Sequence, residues 1–488
     1  MHRSIVLAAA AGCAFVLSGC GTQMETQPAA GLVITDVTVV SPERNTPLQH
    51  AYVRIVDGKI TAVSVQPLKG KEEIDGRGRY LIPGLIDSHV HLAVSPGFPA
   101  PMTAAQAAAH PELVAAALAQ DPKSYLFFGF TTVLDLVGSG DRIAKWNALA
   151  LRPDAYFCGA AVTLAGATRY VRYPYFSYGK TLEERLAPEA DPAQNTPAAV
   201  VARIEADAAI CVKMIYERGF ESTLEDGRAL VTAAHARNMP VFIHANRKRA
   251  QVFGVAIGAD AIAHGMWRDP DEPVELDDEA REVLAEVARK RIGYQPTTQV
   301  IVGLYDMLRT DYLAQPVLAD VYPAALIDLY AGNEGAAGVP LWTRLRGDAE
   351  RVRLRGTIDR ADAVTRILAT ADAHLLFGSD TPSDFIYTNP PGLNGRLEMD
   401  NWIRAGASER KLFHALTIDN ARMLRLDDEI GTVEAGKIAN LLLLRANPLE
   451  SVQAYDTIET VLLHGRLIPR AELSARHAAS ADASAALR

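Results

Sequence analysis

Two histidines, His89 and His91, close the run Pro83-Gly84-Leu85-Ile86-Asp87-Ser88 with Val90 between them. Alternate residues of a strand face one side, so both imidazoles can enter one cavity. With 12 His in 488 residues, chance alone supplies about 0.3 such pairs, so the pair needs company to mean anything. Four further side chains provide it. Lys213 sits inside the apolar run Val212-Lys213-Met214-Ile215, where a lysine is uncommon and needs a reason. His244 ends Val241-Phe242-Ile243, His264 ends Ala261-Ile262-Ala263, and Asp380 follows Leu375-Leu376-Phe377-Gly378-Ser379. Imidazoles, an amine held among apolar residues and a carboxylate are the groups that bind divalent cations and move protons.

Each of these has an ordinary reading when taken singly. His244 or His264 could be a hydrogen-bonded core residue, Asp380 before Thr381-Pro382 could cap a turn, and Lys213 could snorkel from an edge. Several such accidents in one chain order are a poorer account than a shared site. The other histidines of the body, His50, His110, His235, His374, His414, His464 and His477, keep the ordinary reading.

The elements that must position these groups are legible from patterning. Residues 83–427 alternate short apolar strands, such as Thr131-Thr132-Val133-Leu134 and Tyr156-Phe157-Cys158, with longer amphipathic runs. One run starts at Thr223-Leu224-Glu225-Asp226, where Thr223 can cap and acids fill the first turn, and continues to Arg237. This alternation predicts a parallel α/β architecture, and its spacing suits a (β/α)8 TIM barrel. Strand ends converge at the catalytic rim of such a barrel. Lys213 to His244 is about one strand–helix unit, and Ile301 to Ala373 reads as a long helical insertion. Residues 32–82 and 428–470 are β-rich, with Asp57-Gly58 as a hairpin signal. They predict a small composite β-sandwich domain built from both ends of the chain. Residues 471–488 are Ala/Ser-rich and read as a flexible tail.

On these residues the chain resembles the amidohydrolase superfamily in its binuclear form. Pro83 to His91 resembles the first-strand metal motif and Gly129-Phe130-Thr131-Thr132-Val133-Leu134-Asp135 the second strand. Gly431-Thr432-Val433-Glu434-Ala435-Gly436-Lys437-Ile438-Ala439-Asn440-Leu441 resembles the return into the β-sandwich, with Asn440 where Asp is usual. The resemblance implies two divalent ions, zinc suiting the donors. By it, His89, His91 and Asp380 hold one ion, His244 and His264 the other, and a carboxylated Lys213 bridges them. It implies hydrolysis of an amide or similar acyl bond: water activated by two metals attacks a carbonyl, with Asp380 as general base. The expected substrates are small molecules with C–N bonds other than ordinary peptide bonds, or dipeptides. A lactonase or phosphotriesterase on the same site, or a binding lipoprotein without turnover, remain open as alternatives.

The chain also departs from the patterns of the superfamily it resembles. Mononuclear deaminases of the superfamily place Glu three residues after the fifth-strand His, where this chain has Arg247, which disfavours deamination. Amidohydrolases similar to imidazolonepropionase often carry further His and Gly residues after the third and fifth strands, where this chain reads Leu164-Ala165-Gly166-Ala167-Thr168 and Ala245-Asn246-Arg247, so their pockets do not carry over. The loop after the third strand holds Tyr170, Tyr173, Tyr175, Phe176 and Tyr178 with Arg169 and Arg172. Tyr170 and Arg172, with Tyr216 just past Lys213, are candidate substrate-binding residues, and Trp267 is another.

The amino terminus has a different character. Met1-His2-Arg3 is basic, Ile5 to Leu17 is apolar, and Ser18-Gly19-Cys20 are small. This predicts a secretory signal over residues 1–19, too short to span a membrane. Leu17-Ser18-Gly19-Cys20 resembles the lipobox of bacterial lipoproteins. That implies lipidation of Cys20, a tether over residues 20–31 and a body held to the membrane by acyl chains. Gly21 in place of Asp implies an outer-membrane lipoprotein, facing the periplasm or the cell surface. Cys158 and Cys211 lie in apolar runs and are expected as buried free thiols. A net charge of −9 without a Lys/Arg stripe excludes nucleic acid as a natural partner. No motif specifies an oligomer.

Overall fold

The computed structural model describes residues 31–92, 110–164, 170–172, 195–217, 221–267, 273–308, 311–331, 348–382 and 387–477. The chain opens with β1 (Leu32–Val39), β2 (Leu48–Val56), β3 (Lys59–Ser64), β4 (Glu72–Asp75) and β5 (Tyr80–Pro83). Asp57 and Gly58 both take positive φ, 49° and 77°, and join β2 to antiparallel β3. Two successive left-handed residues are what a tight hairpin turn needs.

Next come β6 (Leu85–Val90), β7 (Phe130–Asp135) and β8 (Asp154–Phe157), a parallel three-stranded array. All six residues of β6 and of β7 are buried, as parallel strands covered on both faces require. A second array contains β9 (Val162–Leu164), β10 (Tyr170–Arg172), β11 (Val212–Ile215), β12 (Val241–His244), β13 (Ala261–Ala263) and β14 (Gly293–Gln295). Its order is β10-β9-β11-β12-β13-β14, parallel from β9 onward. Residues 374–381 link the two arrays, with parallel bridges Tyr294–Leu375 on one side and Val90–Thr381 on the other. At the opposite edges Ile210 N donates to Phe157 O over 2.9 Å.

Helices follow the strands and cover the arrays. The helix Leu224–His235 begins as expected, Thr223 Oγ1 accepting from Asp226 N at 3.1 Å, and stops two residues short of Arg237. The insertion is helical where described: Thr298–Asp306, Leu318–Val321, Ala324–Ala331 and the 23-residue Asp348–Thr370. The last buries Leu354, Ile358, Ala361, Val364 and Leu368 on one helical stripe.

The chain returns through β15 (Leu441–Leu444), β16 (Ile458–Leu463) and β17 (Arg466–Pro469). These complete one hydrogen-bonded sheet of order β17-β16-β15-β5-β1-β2-β3, with β4 also pairing β1. The two ends of the chain thus share one continuous sheet rather than two separate ones. An apolar cluster including Ile34, Val53, Leu81, Leu441 and Leu462 fills it. Among the described residues no helix is long and apolar enough to cross a membrane.

Two expectations are corrected. Cys158 and Cys211 are not free thiols: they form a disulfide with Cα atoms 4.3 Å apart. Cys158 follows β8 and Cys211 precedes β11, and the hydrogen bond from Ile210 N to Phe157 O brings these neighbouring residues together. Residues 471–477, expected in the tail, are docked. Leu473 is fully buried, Gln120 Nε2 donates to its carbonyl at 3.0 Å, and Ser474 Oγ donates to Asp320 Oδ1 at 2.6 Å. The helical insertion supplies Asp320, a partner that tail composition does not reveal.

Replacing both cysteines (Cys158→Ala, Cys211→Ala) should lower the unfolding free energy by up to about 4 kcal/mol, the chain-entropy value for the 53-residue loop. Urea denaturation reads this directly, and an unmoved midpoint would show that the bridge contributes nothing.

Candidate metal centre

The six side chains singled out in the sequence occupy neighbouring strand ends. His89 is the fifth residue of β6 and His91 follows that strand; Lys213 lies in β11, His244 ends β12 and His264 follows β13. Asp380 sits on the linking segment, its N donating to His89 O at 2.7 Å, while His91 N donates to Thr381 O at 2.8 Å. All six are buried, His89 completely and Lys213 at 1% exposure.

Asp380 is the hub. Its Oδ1 lies 3.1 Å from His89 Nε2 and 2.9 Å from His91 Nε2, and its Oδ2 lies 3.4 Å from His264 Nδ1. Donor atoms of His89, His264 and Asp380 fall within 4.8 Å of one another, close enough to share one ion. His264 Nε2 lies 2.7 Å from His244 Nδ1, which brings the fourth imidazole in. His89 Nδ1 and Lys213 Nζ have no hydrogen-bond partner among the described residues. Buried polar atoms are almost always paired, so these orphaned donors are fitted to a group that binds between them.

Electrostatics favour the ligating forms. Burial pushes His89 down to about 3 and His264 well below the usual imidazole value, so both rings are neutral at physiological pH. Burial lowers Lys213 to about 7, against the opposing pull of Asp380. Burial alone would raise Asp380, but the imidazoles of His89 and His264 outweigh it and hold the carboxyl well below its usual range.

The backbone beneath is tied by polar side chains. Asp87, completely buried and pushed up to about 7 by that burial, accepts from Ser379 N at 2.9 Å, Ser379 Oγ at 2.5 Å and His89 N at 3.2 Å. Gln295 Nε2 donates to Ser88 O and Oγ, and Asn420 Nδ2 donates to Ile86 O and Phe377 O. Gly378 permits the close approach: a Cβ there would stand 2.7 Å from His89 Cβ. Three non-glycine residues take positive φ at the centre, His264 at 82°, Asp380 at 56° and Thr297 at 45°. Such conformations cost on the order of 1–3 kcal/mol each and cluster where function demands them.

Sequence reading missed two groups here. Glu217 Oε1 lies 2.6 Å from His244 Nε2. Burial raises its pKa, but the contact with His244 and the nearby Arg247 guanidinium outweigh burial and hold the carboxyl at about 2. Thr297 Oγ1 lies 3.1 Å from His264 Nδ1. The spacing of Glu217 from Lys213 was the available signal, since both leave the same strand. Tyr216 stacks on Phe253 with centroids 4.2 Å apart, and Trp267 lies 5.3 Å from the His264 ring. The backbone of Tyr170 and Arg172 forms β10. The rest of that aromatic loop and Cys20 lie outside the described residues. His50, His235 and His464 pair with Asp36, Asp260 and Asp154, apart from the cluster.

Comparison with known proteins places this geometry. The model of the amidohydrolase family matches residues 80–288 and 344–468. A 5-methylthioadenosine/S-adenosylhomocysteine deaminase of Halalkalibacterium halodurans is 32% identical over 71 residues, 13% of this chain and 16% of that protein. An imidazolonepropionase of Thermoanaerobacter pseudethanolicus is 45% identical over 47 residues, 9% of this chain and 11% of that protein. The chain thus spans well under a fifth of either curated relative. A solved Xaa-Pro dipeptidase with methionine in its active site superposes with a TM-score of 0.63 at 19% identity, over 90% of this chain and 99% of that one.

One carboxylate supports the centre from behind. Glu398 accepts from Thr298 N at 3.1 Å and Gln299 N at 2.6 Å, capping the helix that begins beside Thr297, and from Trp402 Nε1 at 3.0 Å. Burial pushes it up from 4.5 to about 7. A carboxyl whose folded value is raised adds stability below pH 4.5 that is lost as pH climbs through about 7. Glu398→Gln should flatten the fall in stability over that window, measured by denaturant unfolding at several pH values. An unchanged pH profile would count against this assignment.

Proposed function

The chain belongs to the amidohydrolase family, and on that footing we propose that it is a metal-dependent hydrolase of amide-type C–N bonds in small molecules, dipeptides included. The observation that carries this is Lys213, an amine buried without a hydrogen-bond partner among the described residues, close enough to Asp380, His89 and His264 to interact with their charges. The donor set fits two divalent ions, with zinc suited to neutral imidazole and carboxylate. His89, His91 and Asp380 would hold one and His244 and His264 the other, with a carboxylated Lys213 shared between them. Two such ions supply Lewis acidity to an acyl oxygen and acidify a water toward a pKa of about 7.

The residues do the rest. Burial lowers the Lys213 pKa to about 7, which brings its neutral amine within reach near neutral pH. Its Nζ lone pair can then attack the carbon of carbon dioxide, forming an N–C bond and releasing one proton. The carbamate so formed carries two oxygens and one negative charge, which compensates buried cations where an ammonium could not. Asp380, kept ionised, can take a proton from the attacking water and return it to the leaving nitrogen. Burial excludes bulk solvent and strengthens each of these interactions.

The two strand arrays with their linking segment support a closed (β/α)8 barrel over residues 83–427, and the shared sheet supports one composite domain over residues 32–82 and 428–470. The solved relative named as a dipeptidase supports small N-acyl amino acids or dipeptides as substrates. The Cys158–Cys211 bridge supports an oxidising compartment. With the lipobox-like Leu17 to Cys20 it supports a cell-envelope enzyme anchored to the outer membrane through lipidated Cys20.

Lys213→Ala should abolish turnover, and short carboxylic acids added back should restore part of it. Failure to recover with both metals still bound would remove the carbamate. Asp380→Asn should lower kcat by at least about 100-fold, the usual scale for a general base. Full activity in that variant would end the base assignment. A screen of dipeptides, N-acyl amino acids and lactones with zinc-loaded protein checks the bond class: lactone turnover alone would overturn the C–N assignment.

A further inference from the structure

His244 differs from its neighbours in what stands behind it. Its Nε2 lies 2.6 Å from Glu217 Oε1, and its Nδ1 lies 2.7 Å from His264 Nε2. His264 Nδ1 in turn lies 3.1 Å from Thr297 Oγ1. A carboxylate only accepts, so His244 Nε2–H donates to Glu217. Nδ1 of a neutral His244 then carries the lone pair and faces the same space as His264 Nε2.

We propose that Glu217 is a positioning residue that holds His244 in its Nε2–H form, so that Nδ1 presents its lone pair to a divalent cation in the cavity. This rests on the reading of His244 as a metal ligand. Glu217 leaves the end of β11 four residues after Lys213, so one strand both carries the lysine and orients the histidine of the next strand. The distance between them is set by the backbone. Ile215 pairs with His244 in the ladder and Tyr216 N donates to His244 O at 3.3 Å. Asn246 also hydrogen-bonds the Glu217 side chain and steadies it from the other side. A carboxylate accepting from the outer nitrogen of a ligating histidine fixes ring and tautomer and makes the inner nitrogen more basic. Glu217 is itself partly exposed, its side chain at 36%, so its removal leaves no buried hole.

The test titrates metal-free wild type, Glu217→Ala, Glu217→Gln and His244→Ala with Zn2+ against a chromophoric chelator, without reference to turnover. His244→Ala identifies which of the two zinc affinities depends on His244. Glu217→Ala should weaken that same affinity by about 10- to 100-fold and leave the other within about threefold. Glu217→Gln, whose amide oxygen still accepts from Nε2–H, should recover part of the loss. Wild-type affinities in Glu217→Ala, with one site lost in His244→Ala, would overturn the role of Glu217 and leave the metal reading standing. Equal weakening of both sites would also overturn it, by showing a general structural effect. Wild-type affinities in His244→Ala would overturn the metal reading of His244 and this proposal together.

Discussion

The withdrawal of charged and polar side chains from water at the strand ends is the constraint that everything else serves. An amine, a carboxylate and four imidazoles lie together where apolar strands converge, and Lys213 has no hydrogen-bond partner there among the described residues. Water solvates such groups far better than an apolar interior does. A sequence tolerates them at this depth when the groups answer one another or bind something that answers them. The depressed values of Lys213 and His89 follow directly: each group relieves its burial by giving up charge.

Holding those groups in place shapes the surrounding backbone. The linking segment must reach β6 closely enough for Asp380 to meet both His89 and His91, and Gly378 makes the approach possible. Asp87 then joins β6 to Ser379 through two hydrogen bonds and accepts a third from His89 N, so the two halves of the His89–Asp380 contact move as one. His264, Thr297 and Asp380 accept left-handed backbone conformations to aim their side chains. The strain is stored on residues that the site needs and is held there by the packing beneath.

Much of this was readable from the chain because burial makes certain residues conspicuous. A lysine among Val212, Met214 and Ile215, or a histidine closing Val241-Phe242-Ile243, breaks an apolar pattern and therefore announces itself. Strand–helix alternation and the β-rich ends were legible from periodicity for the same reason. What stayed hidden depends on contacts between distant segments. Cys158 and Cys211 sit in apolar runs that look alike whether or not the strands meet edge to edge. Glu217 lies in an unremarkable polar stretch, and only the pairing of β11 with β12 sets it against His244. Residues 471–477 have tail-like composition, yet Gln120 and Asp320 fasten them. Asp87 looked like part of a motif, and its bond to Ser379 across 292 residues is invisible along the chain.

The shared sheet carries a consequence for biogenesis. β5 pairs on one side with β1 and on the other with β15, whose residues are made some 360 positions later in synthesis. Until Leu441–Leu444 emerge, β5 presents an open apolar edge, so the amino-terminal strands cannot finish folding while the chain is still being made. A sheet of this order closes only when its last strands arrive. The topology that delays closure also keeps that strand edge unpaired in the meantime, and an unpaired edge is a template for association with other chains.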